Sequence, residues 1–430
     1  MPTKDRGALR CALLLAAAMA WGCVDAPTES ALRPPPANLQ AVKFWDSLAS
    51  TRWNQRATDL LQALPIVTAP NGLLANTPSN GQAWASRMLT YLSVAQYRAM
   101  RAATAPSARP KHPSVSAAVA TASFDVLNAF FASAPTVPGA VKQQISAQLT
   151  QWFGDDDNSA LWPGEKNQDV AAGTAIGHAV GTAVSSQANS DGYLTTAPGA
   201  FAAMVLARGV RQTDWYPDPT PGVGIVRSLW GVTPFFLESQ DLLLSPQPPA
   251  YNSPEYQTAL DEVYAFSNPR TPDHLAIALK WNKLPPNGPF TAGEWNRTAD
   301  ELIRAHHRTE AEATQILAFA NAAAFDAQID CFETKYTWWF RRPAQVNSNI
   351  TTAFATPNHP SYPSGHSCIS SAFGAVLADA FPSERAGLDA LVEEAGMSRI
   401  YAGIHYRFDI VAGQGVGRRA AAKALAGSLE

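Results

Sequence analysis

The chain has 430 residues, 46% of them hydrophobic and 10% aromatic, which is enough for a substantial core in two or three domains. Charged residues make up only 16% and the formal net charge is −3, so the composition offers no basic surface for a nucleic acid. Four cysteines without a CxxC pair exclude a disulfide-rich scaffold and give no zinc motif.

The first 23 residues have the pattern of an export signal. Three basic residues precede an apolar stretch, residues 11–20, that is too short to span a bilayer as a mature helix. A small residue before Cys23 is similar to a bacterial lipoprotein signal, in which that cysteine receives the lipid, and plain secretion is the alternative. We expect an exported protein of the bacterial cell envelope, periplasmic or at the surface, that contacts the membrane only through an anchor on Cys23.

The rest of the chain is dominated by helical patterns. Residues 24–40 are polar and rich in proline and predict an extended tether. From residue 41 to 430 apolar residues recur at helical spacing, for example over residues 88–103, 114–133 and 141–153. Almost no strand pattern occurs, and no later apolar, uncharged run is long enough for a membrane span. The predicted fold class is all-α, built of helical bundles.

Two segments interrupt this pattern. Residues 154–168 are acidic and polar and predict a solvated loop rather than a metal site. Residues 214–254 are rich in proline and tryptophan and predict a long irregular segment that is either functional or packed over the core. Helical patterns return over residues 256–266, 272–281 and 293–329.

Polar residues suited to chemistry cluster in the last part of the chain, about residues 293–430. Lys335 and Arg342 are seven residues apart, so on one helix both cations would project from the same face, and Pro343 would end that helix. An ammonium and a guanidinium together suit a multivalent oxyanion. A solvated face is the common alternative, but the aromatic residues between the two cations favour a partly buried wall.

A second group is the sequence PSGH, residues 363–366, followed by a helical pattern. Gly365 permits a tight turn, and the N–H groups of the next helix, with the Ser364 hydroxyl, can hold an anion. His366 can exchange a proton at the edge of that anion. An ordinary helix cap with an incidental histidine is the alternative.

A third group contains Arg399, His405 and Asp409. His405 and Asp409 stand at i and i+4, so they are expected to meet on one helix face, where the carboxylate can fix the imidazole tautomer. Arg399 precedes His405 by six residues, about 240° on a continuous helix, so both reach one site only if the chain bends, for which Gly403 is suited. A structural His–Asp pair is the alternative.

Together these groups read K-x6-RP, PSGH and SR-x5-H-x3-D, and they resemble the signature of the type 2 phosphatidic acid phosphatase and vanadium haloperoxidase superfamily. Upstream segments such as WYPDPTPGVGIVRSLWGVTPFFL and RTPDHLAIALKWN resemble the bacterial haloperoxidase branch, so the resemblance covers most of residues 80–425. It implies an all-helical fold with two helix bundles that frame the site.

The resemblance also implies a role for each residue. His405 would be the ligand to vanadium in a haloperoxidase, or the phosphoryl-accepting nucleophile in a phosphatase. Asp409 would orient His405, and His366 would be the acid–base group. The oxygens of the anion would be held by Lys335, Arg342, Ser364, the N–H of Gly365, and Arg399. Lys335 would also polarise bound peroxide.

The implied cofactor is vanadate, and the implied reactants are hydrogen peroxide, a halide and a small organic acceptor. Phe332 stands where characterised haloperoxidases have tryptophan. His359 stands where algal bromoperoxidases have histidine and fungal chloroperoxidases have phenylalanine, which favours bromide over chloride; a surface histidine is the alternative. Cys331 and Cys368 would be either two buried thiols or a pair joining the walls of the site.

Three functions stay open from the sequence. The first is a vanadate-dependent haloperoxidase, which the upstream segments favour. The second is an acid phosphatase without a cofactor that forms a phosphohistidine at His405, because one cage serves phosphate and its larger mimic vanadate. The third is a non-catalytic oxyanion-binding lipoprotein, against which the presence of His366 and Asp409 argues.

Overall fold

The computed structural model describes residues 48–64, 81–134, 137–157, 169–195, 198–209, 214–218 and 225–429. Within these ranges the chain forms helices α1 Ala49–Ala63, α2 Gly81–Thr104, α3 Val115–Ser133, α4 Gly139–Asp157, α5 Val170–Ser190, α6 Pro198–Arg208, α7 Pro254–Ser267, α8 Pro272–Lys280, α9 Phe290–Ala305, α10 Glu310–Trp338, α11 Pro343–Val346, α12 Gly365–Ala380, α13 Arg385–Tyr401 and α14 Arg407–Ala426. Short 3-10 turns lie at Pro106–Lys111, Ser239–Asp241 and Pro382–Glu384. No β-strand occurs in the described ranges, so the all-α class is confirmed. The signal, Cys23 and the tether lie outside them and stay predictions.

Helix α10 is the central element of the fold. Almost all of its residues from Ala313 to Tyr336 are buried, and Thr309 and Glu312 cap its N-terminus by exchanging side-chain and backbone hydrogen bonds. It packs against α2, which itself contacts α3 and α5, and also against α12 and α14. Two groups of helices therefore adjoin through α10.

The helical pattern predicted over residues 293–329 is present and is divided between two helices. Helix α9 ends at Ala305, and His307 adopts a left-handed φ of 51° before α10 begins. The irregular segment is confirmed for residues 214–218 and 225–253, apart from its short 3-10 turn. The acidic segment is helical up to Asp157, and residues 158–168 lie outside the description.

Among the described helices, α3 is the one whose length and composition would allow it to cross a membrane. Most of α3 is buried within the protein, where it packs against α2, α4 and α5. These contacts are those of a core helix.

Close packing between α12 and α14 brings two of the sequence motifs together. A Cβ atom on Gly413 would lie 2.6 Å from the Ser364 carbonyl oxygen, and one on Gly417 would lie closer still to the Cys368 carbonyl oxygen. Only glycine permits this approach. The Ser364 N–H also donates to the Asp409 carbonyl oxygen at 2.9 Å, so the N-terminus of α12 lies beside the first turn of α14.

Candidate active site

The first motif is held by a helix end and the loop that follows it. Helix α10 ends at Trp338, and Trp339 takes the left-handed conformation while its carbonyl accepts from the Trp215 N–H. Arg342 lies beyond this turn in extended backbone, with φ −74° and ψ 151°. The prediction that one helix face carries both cations is therefore wrong, because the turn at Trp339 redirects the chain. The Arg342 side chain nevertheless reaches the third motif, where it contacts His405.

Three buried cations define the site. Lys335, Arg342 and Arg399 are only 0%, 1% and 2% exposed. Within the described residues none of them forms an ion pair with a carboxylate, although Asp409 is near enough for its charge to act on Lys335 and Arg342. Burying charge without a partner is costly. This excess of positive charge fits an oxyanion.

Lys335 organises the loop that leads to the second motif. Its Nζ donates to the carbonyl oxygens of Pro360, at 2.9 Å, Ser361, at 2.8 Å, and Pro363. A lysine ammonium has three donors, so these contacts use all of them. Lys335 therefore holds the loop that leads to Ser364 and Gly365. With all three donors used, it can attract an anion only through its charge.

The second motif forms the start of α12. Ser364 is the N-cap, whose side chain accepts from the Ser367 N–H, and the helix begins at Gly365. The Ser367 hydroxyl donates to Ser364 Oγ at 3.1 Å, which leaves the Ser364 proton for another acceptor. The helix cap and the anion site proposed from the sequence are thus compatible. Gly365 and His366 are partly exposed at this helix end.

His405 and Asp409 meet, although His405 lies in the loop before α14 and not on a helix face. His405 Nδ1 lies 2.8 Å from Asp409 Oδ2 and donates to it, while Arg342 Nη1 donates to Nε2 at 2.9 Å. Burial, with the charges of Arg342 and Lys335, holds the pKa of His405 well below its ordinary value. The ring is therefore neutral, with its Nε2 lone pair facing the cations. The bend expected between Arg399 and His405 occurs at Gly403, where φ is 78°.

Ser361 is a site residue that the sequence analysis missed. Its hydroxyl donates to Asp409 Oδ2 at 2.5 Å, and the Tyr406 N–H donates to the same oxygen at 3.1 Å. Burial raises the pKa of Asp409 to about 6, and the Ser361 hydrogen bond opposes that rise. Ser361 also gives its carbonyl to Lys335, so it links the lysine side of the site to the histidine side. The only sequence signal that could have identified Ser361 is its position two residues before Pro363, at the start of the second motif.

Replacing Ser361 with alanine should weaken oxyanion binding, with phosphate as the probe, by about 10- to 100-fold, the usual cost of losing one hydrogen bond to a charged group. Asp409 would keep the His405 and Tyr406 contacts but lose its hydroxyl donor. Isothermal titration of phosphate into both proteins measures the change. Equal affinities would contradict the role given to the Ser361 hydroxyl.

The two residues predicted on the halide side lie together. The rings of Phe332 and His359 have centroids 5.2 Å apart, and Lys335 Nζ is 5.9 Å from the Phe332 centroid. His359 is 8% exposed, so the surface alternative for this histidine is wrong. Arg342 Nη2 lies 3.1 Å from His359 Nδ1, which ties this pair to the cation cluster.

Cys331 and Cys368, beside the site, are both buried free thiols. The alternative of two buried thiols is therefore confirmed, and the alternative of a pair joining the walls of the site is wrong. Cys331 Sγ lies 3.9 Å from the Pro363 carbonyl oxygen. The two thiols are close enough to interact with each other.

Burial lowers the pKa of Lys335 to about 8, below its ordinary value of 10.5. Lys335 is therefore charged below that pH and neutral above it, so anion affinity should fall as the pH rises through about 8. Sulfate is a suitable probe because its own charge stays constant over this range. Titration calorimetry of the wild-type protein and of Lys335→Met should show the fall only in the wild-type protein. A pH profile shared by both proteins would rule out Lys335 as its source.

The side chains of this site also limit what it can bind. Within the described part of the chain no group of three His, Cys, Asp or Glu side chains could hold a metal cation. The donor set is instead one neutral imidazole, three cations, a hydroxyl and the first turn of a helix. This chemistry fits vanadate or phosphate.

Comparison with known proteins gives one matching family model and solved structures of similar fold. Residues 313–426, which contain all three motifs, match the model of the PAP2 superfamily. The crystal structure of a bacterial vanadium-dependent iodoperoxidase is similar over 88% of this chain and 95% of that chain, with 21% identity and a TM-score of 0.67. The apo and holo forms of a bacterial vanadium-dependent chloroperoxidase each cover 85% of this chain, and 96% and 97% of their own. Their identities are 13% and 14%, with TM-scores of 0.58 and 0.57. None of the curated proteins matches the sequence.

These likenesses define the class of fold, which is that of the bacterial vanadium-dependent haloperoxidases. The resemblance predicted from the three motifs is confirmed. The family-model match to the PAP2 superfamily covers residues 313–426, the part of the chain that carries those motifs.

Proposed function

We propose that this chain is a vanadate-dependent haloperoxidase that oxidises a halide with hydrogen peroxide, bromide in preference to chloride. The observation that carries the proposal is the cluster of three buried cations, without carboxylate ion pairs among the described residues, around the neutral His405. The fold shared with a bacterial iodoperoxidase and a bacterial chloroperoxidase supports it.

The residues of the site fit vanadate. His405 would bind it through Nε2, which keeps a lone pair because Nδ1 donates to Asp409. Its oxygens would be held by Arg342, Arg399, Ser364 and the Gly365 N–H, and Lys335 would attract the anion through its charge. Bound vanadate supplies the activation of peroxide toward two-electron oxidation of the halide.

The protein's part is binding, orientation and proton transfer. The three cations offset the charge of the anion in a dry environment, where such interactions are strong. His366 moves a proton at the partly exposed edge of the site. Phe332 and His359 line the side on which we expect the halide to be oxidised, and His359 favours bromide.

The test is halogenation by residues 24–430, freed of metal and phosphate. With orthovanadate added, we expect peroxide-dependent bromination of a dione dye, faster than chlorination, and suppression by phosphate. Iodide serves as the readily oxidised control substrate.

A different outcome would reassign the protein. Absence of halogenation, together with hydrolysis of an aryl phosphate that vanadate inhibits, would identify a phosphatase in which His405 is the nucleophile. Vanadate binding with neither reaction would identify an oxyanion-binding protein.

A further inference from the structure

His366 is held by two groups that lie outside the three motifs. Its Nε2 is 3.0 Å from the Trp281 carbonyl oxygen and 3.1 Å from Thr291 Oγ1. Trp281 is the C-cap of α8, and Thr291 lies in the first turn of α9. Groups from the end of α8 and the start of α9 therefore meet at one ring nitrogen of a residue on α12.

These contacts determine where the ring carries its proton. A carbonyl oxygen can only accept a hydrogen bond, so Nε2 must be the protonated nitrogen when it bonds to Trp281. Burial, aided by the charge of Arg399, holds the pKa of His366 well below its ordinary value, so the ring is neutral and has a single N–H. The lone pair consequently belongs to Nδ1.

Nδ1 is also the nitrogen that remains available. It makes no hydrogen bond to the described residues, and the ring lies near enough to Arg399, Arg342 and Lys335 for their charges to act on it. His366 follows Ser364 and Gly365 directly, at the partly exposed end of α12.

We propose that the Trp281 carbonyl fixes the Nε2–H tautomer of His366, and that the Thr291 hydroxyl, as a second acceptor of that N–H, holds the ring in place. Nδ1 is then the atom that accepts and returns a proton at the anion site. Thr291 is a positioning residue, since it acts on the reaction only through His366. The tautomer follows from geometry alone, whereas the proton transfer at Nδ1 rests on the proposed function.

Thr291 is suited to this task. It is 1% exposed, so water does not compete for its hydroxyl, and its branched side chain has few rotamers in a helix. Its backbone N–H is directed at Gln82 Oε1, 3.4 Å away on α2. Because the Trp281 contact comes from the backbone, Thr291 is the partner that substitution can remove.

The experiment compares Thr291→Val, which keeps the shape but lacks the hydroxyl, with Thr291→Ser, which restores it. Thr298→Val is the matched control on the same helix, because among the described residues the Thr298 hydroxyl bonds only to the Glu294 carbonyl oxygen of its own helix. The main readout is nitrogen-15 NMR of histidine-labelled protein, without vanadate or halide and with inorganic phosphate added. The ring nitrogen signals that disappear in the spectrum of His366→Gln are those of His366.

In the wild-type protein we expect a protonated Nε2 and an unprotonated Nδ1 at His366. Thr291→Val should keep this tautomer, because the Trp281 carbonyl still accepts. It should shift the Nε2–H proton signal, speed exchange of that proton with water, and lower kcat for bromination about 10-fold, with little change in KM for peroxide. Thr291→Ser and Thr298→Val should resemble the wild-type protein.

A protonated Nδ1 in the wild-type protein would overturn the inference. So would an Nε2–H signal and exchange rate in Thr291→Val equal to those of the wild-type protein. Because the NMR measurement needs no turnover, failure of the haloperoxidase proposal would be seen separately, as absent halogenation with the tautomer intact.

Discussion

Replacing His405 with alanine should abolish vanadate-dependent bromination. Removing groups that merely orient a ligand histidine costs about 10- to 100-fold, so removing the ligand itself should exceed that range. The three cations would remain, and they should still attract phosphate, although without the Nε2 contact. The measurement is the rate of dye bromination at saturating vanadate, alongside phosphate binding by calorimetry.

His306→Ala is the matched control for this variant. His306 also pairs with a carboxylate, Glu384 at 2.9 Å, but this pair makes no contact with the site residues. Activity near that of the wild-type protein is expected. Bromination by His405→Ala at the wild-type rate, with vanadate still required, would remove His405 from the role of ligand.

Replacing His366 with alanine should lower the turnover rate by about 10²- to 10⁴-fold, the range for a positioned acid–base group. Phosphate affinity should change far less, because the cations, the Ser364 hydroxyl and the helix N-terminus stay in place. Rates at saturating bromide and peroxide, together with phosphate dissociation constants, separate the two effects.

The split between rate and affinity distinguishes the possible roles of His366. A large loss of phosphate affinity with a proportionate loss of rate would make His366 a binding group. An intact rate would remove it from the reaction altogether.

The site could be predicted from sequence because its residues fall in three short motifs whose internal spacing is visible. The spacing of Lys335 and Arg342, for example, singled out two cations that the structure buries in one cluster. It did not reveal that α10 ends at Trp338, since that ending depends on a left-handed turn and on the contact between Trp339 and Trp215. Helix propensity alone carries no information on such a long-range contact.

The groups that orient the site residues were harder to predict for a similar reason. Trp281 contributes a backbone carbonyl, which any residue could provide, and Thr291 lies 75 residues from His366 in the sequence. Ser361 is closer, but a serine in a proline-rich loop is ordinary until its hydroxyl is seen against Asp409. The helical class, in contrast, followed from periodicity spread over hundreds of residues.

The thiols beside the site bear on how long such a protein would survive its own product. Oxidation by peroxide or hypohalous acid proceeds through the thiolate and leads through sulfenic acid to irreversible products. Burial, together with the neighbouring Cys331, holds the pKa of Cys368 well above its ordinary value, so Cys368 stays in the unreactive thiol form. Neither cysteine is exposed to solvent. The proposed oxidant would therefore be released next to sulfur atoms that are poorly able to react with it.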